Sequence, residues 1–424
     1  MVIHREFEFV SCKQAGSLHI VQCSINESPW QTDRDCRTGD YRVTRLSATI
    51  ARLAALRENS PIRFDDVGAS RLQPLEAFGD NPGALNAKIH VPPRISAQPA
   101  LVVVLHGCTQ TAGGYDRGSG WSQLADEHGF VLLFPEQQRA NNPNLCFKWF
   151  SPTDNGRGQG EALSIRQMIA AMVDAHGIDP SRIFVTGLSA GGAMTSVLLA
   201  SYPEVFAGGA IIAGLPHGSA SNVLQALEAM RGPGAYTAKD LGDRVRHASD
   251  HDGPWPHISI WHGSADPTVS STNADAVLAQ WLSVHGLEMT PDASEQIAGH
   301  CRRTWNDASG RLVIEDYRIA NMGHGTPLAT TGQDACGMVM PHMLEAGISS
   351  TRHIAASWGL LGVENERIFT PSARPAQEAT PNLPASKISR LEPLTSEPRR
   401  PTASGKPGVE KIIHDALRAA GLMR

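Results

Sequence analysis

Short runs of continuous apolar residues alternate with helix-length amphipathic segments through the middle of this chain. A strand covered by helices on both faces needs apolar side chains at every position, so the pattern predicts the α/β class with a mostly parallel, doubly wound sheet. The predicted strands span 101–105, 130–134, 183–186, 210–213, 258–261 and 312–319. The predicted helices span 161–176, 193–200 and 273–285, and an alternating segment at 85–91 predicts a half-buried edge strand.

The 424 residues divide by composition. Residues 1–42 show no sustained period and are expected to form a poorly specified N-terminal extension, and a predicted helix at 43–59 opens a folded domain expected at 43–365. Within that domain, residues 215–257 are too long for an ordinary connection between strands, which predicts a small cap over one end of the sheet. The eight prolines of 371–408 indicate an extended linker, and the apolar spacing of 409–424 predicts an amphipathic helix.

Composition argues against several classes of protein. A net charge of −5 supplies no basic field for nucleic acid. No membrane span is predicted, because no apolar run approaches eighteen residues. The first residues include acidic side chains where a signal peptide would be apolar, and the absence of a signal peptide by itself indicates a cytoplasmic protein. The seven cysteines include no Cys-x-x-Cys pair and no His-Glu-x-x-His is present, so neither a metal site nor a cofactor is predicted.

One G-x-S-x-G motif is centred on Ser189. A predicted strand ends directly before it and a predicted helix follows, which is the context that a nucleophile elbow needs. Such a sharp turn presents the serine hydroxyl at a helix N-terminus, where the free N–H groups and the helix dipole favour developing negative charge. The alternative is a glycine-rich turn that binds nothing or cradles a phosphate, and the strand and helix around the motif favour the nucleophile.

A serine nucleophile needs a base to take its proton and an acid to orient that base. Asp266 follows the predicted strand 258–261, and His324 follows the predicted strand 312–319. Because the carboxyl ends of parallel strands meet at one edge of a sheet, we expect Ser189, Asp266 and His324 to lie together. Their order along the chain is that of the catalytic residues of α/β-hydrolases.

The negative charge of a tetrahedral intermediate also needs preset N–H donors. One expected donor is the N–H of Ala190, directly after the nucleophile. The other should follow an early strand, and the N–H of Cys108 in the turn after residues 101–105 is the first candidate. Gly113 and Gly114 are alternatives.

Several multi-residue motifs in fixed order carry a family resemblance. They are L-H-G-C-T-Q-T at 105–111, G-S-G-W at 118–121, F-P-E-Q at 134–137, W-F at 149–150, G-L-S-A-G-G-A-M at 187–194, G-L-P-H-G at 214–218, H-G-S-A-D at 262–266 and M-G-H-G at 322–325. Over about 75–362 the chain resembles the catalytic domain of the polyhydroxybutyrate (PHB) depolymerase family of esterases, which also includes feruloyl and acetylxylan esterases.

The resemblance implies an α/β-hydrolase fold in which Ser189 is the nucleophile, Asp266 the acid, His324 the base and Cys108 an oxyanion donor. It also implies a disulfide between Cys108 and Cys146, as in secreted members. The family resemblance thus implies an extracellular location, the absence of a signal peptide indicates a cytoplasmic one, and both alternatives are kept.

These features together predict a serine carboxylic-ester hydrolase that acts through an acyl-enzyme on short-chain or 3-hydroxyacid esters. Feruloyl or acetylxylan ester cleavage is the alternative within the family, and a catalytically inactive binding protein is the alternative from another class. Thr326 stands where many members carry an aromatic residue, and no separate binding domain is recognised, so oligomers are expected to react faster than crystalline polyester. The helix at 409–424 is expected to dock on its own core, on a second copy or on a polyester granule.

Overall fold

The computed structural model of the protein describes residues 70–332 and 335–361. These residues all belong to one compact unit. The extension at 1–42, the helix at 43–59, the linker at 371–408 and the terminal helix at 409–424 lie outside the described residues and stay predictions.

A ten-stranded sheet forms the centre of the fold, in the order β1-β2-β4-β3-β5-β6-β7-β10-β9-β8. The strands are β1 Gln73–Pro74, β2 Asn86–His90, β3 Leu101–Leu105, β4 Val131–Glu136, β5 Ile183–Leu188, β6 Gly208–Ile212, β7 His257–Gly263, β8 Ala293–Ile297, β9 His300–Asn306 and β10 Leu312–Ile319. Neighbours from β4 through β10 pair in parallel, while β1, β2, β9 and β8 extend the sheet with antiparallel pairs. The predicted mostly parallel sheet is confirmed.

Helices cover both faces of this sheet. They are α1 Ala112–Ser119, α2 Trp121–His128, α3 Gly160–His176, α4 Ala190–Ser201, α5 Val223–Ala229, α6 Ala238–Arg246, α7 Thr272–His285 and α8 Ser350–Ser357. Side chains of β3 alternate between two cores: Leu101, Val103 and Leu105 pack with α3, α4 and α7. Val102 and Val104 pack with α1, α2 and α8 on the other face. This alternation explains why a strand buried on both sides is apolar at every position.

The segment at 215–257 contains α5 and α6. Helix α6 packs along α7, where Leu241 meets Ala276 and Ala279, and Gln280 Nε2 donates to Leu241 O at 2.9 Å. Since α7 is one of the helices that cover the sheet, α6 forms an additional layer on that side. The role of the segment as a cap over one end of the sheet stays a prediction.

A two-stranded sheet of β11 Thr326–Leu328 and β12 Met343–Glu345 lies after β10 in the chain. None of the helices in the described part of the chain is long and apolar enough to cross a membrane.

Candidate active site

Three loops meet at the carboxyl edge of the parallel sheet. Ser189 directly follows β5, Asp266 lies in the loop after β7, and His324 lies in the loop after β10. The last two loops are bonded to each other, because Ala265 N–H donates to the carbonyl of Met322 at 3.0 Å. The sheet order therefore places all three loops at one edge of the sheet, and hydrogen bonds join the last two directly.

The turn at Ser189 is strained and tightly packed. Ser189 adopts φ 58° and ψ −116°, a left-handed backbone region that L-residues rarely adopt. A side chain at Gly191 would place its Cβ 2.4 Å from Leu105 O and 2.6 Å from His106 O, so glycine is required by the close approach of β3. Ser189 is held by its N–H, which donates to Ile212 O at 2.9 Å, and its hydroxyl stands at the N-terminus of the fully buried helix α4.

Asp266 and His324 are joined by a short hydrogen bond, in which Nδ1 of His324 lies 2.7 Å from Oδ2 of Asp266. The other carboxylate oxygen accepts the backbone N–H groups of Thr268 at 2.8 Å and Val269 at 2.9 Å. Burial of Asp266 by itself raises its pKa, but the charge of His324 and the hydrogen bonds from His262 and His324 outweigh that effect and hold the pKa below its usual value. Asp266 is therefore ionised and fixed in direction.

Two further histidines surround this pair, and the sequence interpretation gave neither of them a role. His262 is buried, and its Nε2 lies 3.0 Å from Val269 O and 3.4 Å from Oδ2 of Asp266. His342 places Nδ1 3.2 Å from the carbonyl oxygen of His324. His262 stands in the H-G-S-A-D motif four residues before the acid, a signal that could have indicated it. His342 is brought in by the tertiary fold alone.

The turn after β3 carries Cys108, and a disulfide joins Cys108 to Cys146. Thr109 N–H donates to Asn144 O at 2.6 Å, which ties the same two loops together a second time. Among the hydrogen bonds of the described residues, none has the N–H of Cys108 or of Ala190 as donor. Neither donor is therefore used by a protein acceptor within these residues.

The alternative donors at Gly113 and Gly114 are placed differently. Both lie in the first turn of α1, and the N–H of Gly114 donates to Oγ1 of the N-cap residue Thr111 at 3.2 Å. Capping therefore uses the Gly114 donor within the helix.

Thr326 is buried, and its hydroxyl lies 3.2 Å from the hydroxyl of Tyr115. Its side chain faces the interior and not the surface of the site. The identity of residue 326 therefore gives no support to the expectation that oligomers react faster than crystalline polyester, which stays a prediction.

Comparison with known proteins identifies the family. A family profile described as esterase PHB depolymerase matches residues 85–305, which include Ser189 and Asp266. The chain belongs to the esterase PHB depolymerase family. It is accordingly an α/β-hydrolase and a carboxylic ester hydrolase, as the resemblance implied.

Individual relatives agree with this assignment. Poly(3-hydroxyalkanoate) depolymerase C of Paucimonas lemoignei is 46% identical over 287 residues, which cover 67% of this chain and 69% of that protein. Feruloyl esterase B of Talaromyces funiculosus is 30% identical over 268 residues, covering 61% of this chain and 74% of its own length. Among solved structures, an acetyl xylan esterase from Aspergillus awamori superposes with a TM-score of 0.58 and 25% identity, covering 69% of this chain and 100% of that one.

Proposed function

We propose that this ester hydrolase works through a catalytic triad of Ser189, His324 and Asp266. The observation that carries the proposal is the hydrogen bond of 2.7 Å between His324 Nδ1 and the buried carboxylate of Asp266, at the sheet edge where Ser189 is the N-cap residue of α4. With Nδ1 engaged, Nε2 of His324 is the ring nitrogen left to take a proton.

In the first half of the reaction, Ser189 Oγ attacks the ester carbonyl carbon while its proton passes to His324 Nε2. The tetrahedral intermediate then expels the alcohol, which takes the proton from the imidazolium, and the acyl group stays on Ser189. In the second half, water loses a proton to His324 as it attacks the acyl carbon, and the acid leaves as Ser189 recovers its proton. Asp266 holds the imidazole in place and stabilises its positive form throughout.

The N–H groups of Cys108 and Ala190 are the proposed donors to the oxyanion. The support is that both are unused by other protein acceptors within the described residues, while one follows the nucleophile directly and the other follows β3. Each such donor is worth about 3 kcal/mol in the transition state.

The proposed substrates are esters of 3-hydroxyacids. The support is that a relative named as a poly(3-hydroxyalkanoate) depolymerase is 46% identical, against 30% to 34% for relatives named as feruloyl esterase B. Feruloyl and acetylxylan esters are the second candidates.

The Ser189→Ala variant tests the nucleophile. Turnover of p-nitrophenyl butyrate should disappear while the melting temperature of the protein stays unchanged. The control is Ser196→Ala in α4, which should keep its activity. A fluorophosphonate probe should label Ser189 in the unaltered protein, which an inactive binding protein with the same fold would not do. Turnover by the Ser189→Ala variant would remove the assignment.

A comparison of kcat/KM on hydroxybutyrate trimer, methyl ferulate, acetylated xylan and polymer film tests the substrate class. The trimer is expected to react fastest, and film is expected to react slowest. Faster cleavage of ferulate or acetylxylan would replace the proposed substrate class with the second candidates.

The segment at 409–424 is proposed as a docking element outside the catalytic machinery. The support is its sequence: a stripe of about four turns would be marginal as an isolated helix in water, so it needs a surface on which to bury its apolar side chains. The small residues Ala416 and Ala420 favour a protein surface over a lipid-like granule.

A further inference from the structure

Gly107 is held at both of its peptide groups by side chains that the proposed mechanism does not use. The carbonyl oxygen of Gly107 lies 2.8 Å from Nδ1 of His106. The N–H of Gly107 donates to Oε1 of Gln110 at 2.8 Å. These contacts fix both ends of Gly107, the residue directly before the proposed oxyanion donor.

The hydrogen bonds of His106 determine where its proton lies. The backbone N–H of Gln137 donates to Nε2 at 3.1 Å, so Nε2 is an acceptor and carries no proton. Nδ1 therefore carries the proton and donates to Gly107 O. The ring is buried against Phe147, with 4.9 Å between ring centroids, and burial lowers the pKa of His106, which keeps the imidazole neutral.

Gln110 links the oxyanion turn to the other side of the site. Its Nε2 lies 3.4 Å from the carbonyl oxygen of Pro341, the residue next to His342. His342 in turn contacts the carbonyl of His324 at 3.2 Å. Gln110 thus lies between the turn that carries Cys108 and the loops that carry the proposed base.

We propose that His106 and Gln110 are positioning residues that aim the N–H of Cys108 at the oxyanion of the substrate. The Gly107–Cys108 bond is trans, since the cis bond among the described residues is Gly253–Pro254. In a planar trans peptide the C=O and N–H groups point in opposite directions, so a carbonyl held by His106 directs the Cys108 N–H to the opposite side. This inference rests on the proposed function, in which Cys108 supplies one of the two donors.

A donor that is misdirected weakens binding of the oxyanion but not of the ground-state ester. The expected signature is therefore a lower kcat at unchanged KM, together with weaker binding of a boronic acid that forms a tetrahedral adduct on Ser189. A purely structural role would instead reduce the number of active molecules without changing turnover per active site.

The test measures kcat and KM for p-nitrophenyl butyrate, per active site titrated with a fluorophosphonate, and the inhibition constant of butylboronic acid. Gln110→Met keeps the shape of the side chain and removes its acceptor, and kcat should fall about tenfold. His106→Phe removes both ring nitrogens, and kcat should fall about a hundredfold. His106→Asn keeps an N–H donor near the Nδ1 position, so its kcat should lie closer to that of the unaltered enzyme.

The matched controls are Gln123→Met, on the surface of α2, and His90→Phe, a buried histidine that contacts Asp126 at the opposite edge of the sheet. Both should keep kcat per active site. The proposal fails if Gln110→Met and a folded His106 variant keep the unaltered kcat, if only the number of titratable sites falls, or if KM rises at constant kcat. Failure of the proposed function itself would be recognised separately, by turnover in Ser189→Ala.

Discussion

At the scale of single residues, Asp266 performs two tasks with its two oxygen atoms. Oδ1 accepts the N–H groups of Thr268 and Val269, which fixes the carboxylate in its loop, and Oδ2 accepts from His324. Because each oxygen accepts and neither donates, an isosteric amide cannot replace the carboxylate without placing an N–H₂ donor against one of these partners.

Asp266→Asn should therefore leave the fold in place and lower kcat by about three to four orders of magnitude, because the amide favours the wrong tautomer of His324. The measurement is kcat on p-nitrophenyl butyrate from pH 7 to 9, with thermal unfolding as the check on folding. Asp179→Asn is a suitable control, since Asp179 also accepts from its own loop through Ser181 but precedes β5 at the other end of the strand. Full activity of Asp266→Asn would contradict the proposed triad.

Gly191 sets a second requirement at this scale, because its Cα faces the backbone of β3. Gly191→Ala would bring Cβ within 2.4 Å of Leu105 O, and backbone cannot rotate away as a side chain can. The expected cost is about 3 kcal/mol in the free energy of unfolding, with loss of activity. Urea unfolding measures this cost. The control is Gly232→Ala, whose Cβ would lie 3.6 Å from Thr272 Oγ1 and which should change the free energy of unfolding little. Equal stability of the two variants would contradict this prediction, because it would show that the backbone around Gly191 can move to accommodate a Cβ.

At the scale of elements, buried ion pairs join β9 to β10 in addition to the backbone hydrogen bonds of the sheet. Arg302 donates to Glu315 Oε2 from Nε at 3.0 Å and from Nη2 at 2.7 Å, and Arg303 donates to Asp316 at 2.6 Å. Burial raises the pKa of Glu315, but the contacts with His257 and Arg302 outweigh it and lower the pKa to about 2. Both carboxylates are buried, so removal of one arginine leaves a charge with too few partners.

Arg302→Met should lower the free energy of unfolding by about 3 kcal/mol at pH 7. The pKa of Glu315 is depressed, so its contribution is present above the unfolded value of 4.5 and is lost as pH falls towards about 2. In the variant the pKa of Glu315 is less depressed, so this pH-dependent contribution should be smaller and should be exhausted at a higher pH. Urea unfolding between pH 3 and 7 tests both points, with Arg311→Met, which breaks the exposed pair with Asp307, as the control. If Arg302→Met and Arg311→Met lowered the free energy of unfolding equally, burial of the ion pair would not be the cause of the effect.

The same elements show what sequence patterns could and could not predict. Six strands could be predicted because a short run of apolar residues is typical of a strand that is buried on both faces. The loops that follow two of these strands carry Asp266 and His324, which is why the sequence could predict that the two residues lie together. Strand β9 was not predicted, because two adjacent arginines, Arg302 and Arg303, are typical of an exposed segment. Only the structure shows that β10 places Glu315 and Asp316 against them. Helix α1 was missed because three glycines give it little intrinsic propensity, and tertiary packing of Tyr115 and the Thr111 cap stabilise it. His106 and Gln110 act through tertiary contacts, which no local pattern records.

At the scale of the whole molecule, every group in the proposed mechanism lies between His106 and His342. Deletion of residues 371–424 should therefore change kcat on p-nitrophenyl butyrate by less than about twofold, because domain boundaries fall in linkers of this composition. Stability, oligomeric state or binding to polyester granules should change instead. Size-exclusion chromatography and granule sedimentation compare the two forms. Loss of turnover in a folded deletion variant would place the terminal segment in the site.

The parallel sheet also determines when the protein can begin to work as it folds. Asp266 and His324 are 58 residues apart in the chain, and β3 pairs with β5 across a register that joins Leu101 to Ile183. Such distant pairings form slowly, because the chain must close long loops before any contact repays the lost entropy, whereas helices form within microseconds. After dilution from denaturant, ester turnover should therefore return later than the helical circular dichroism signal. The time at which ester product first forms during refolding should therefore report when β7 has paired with β10.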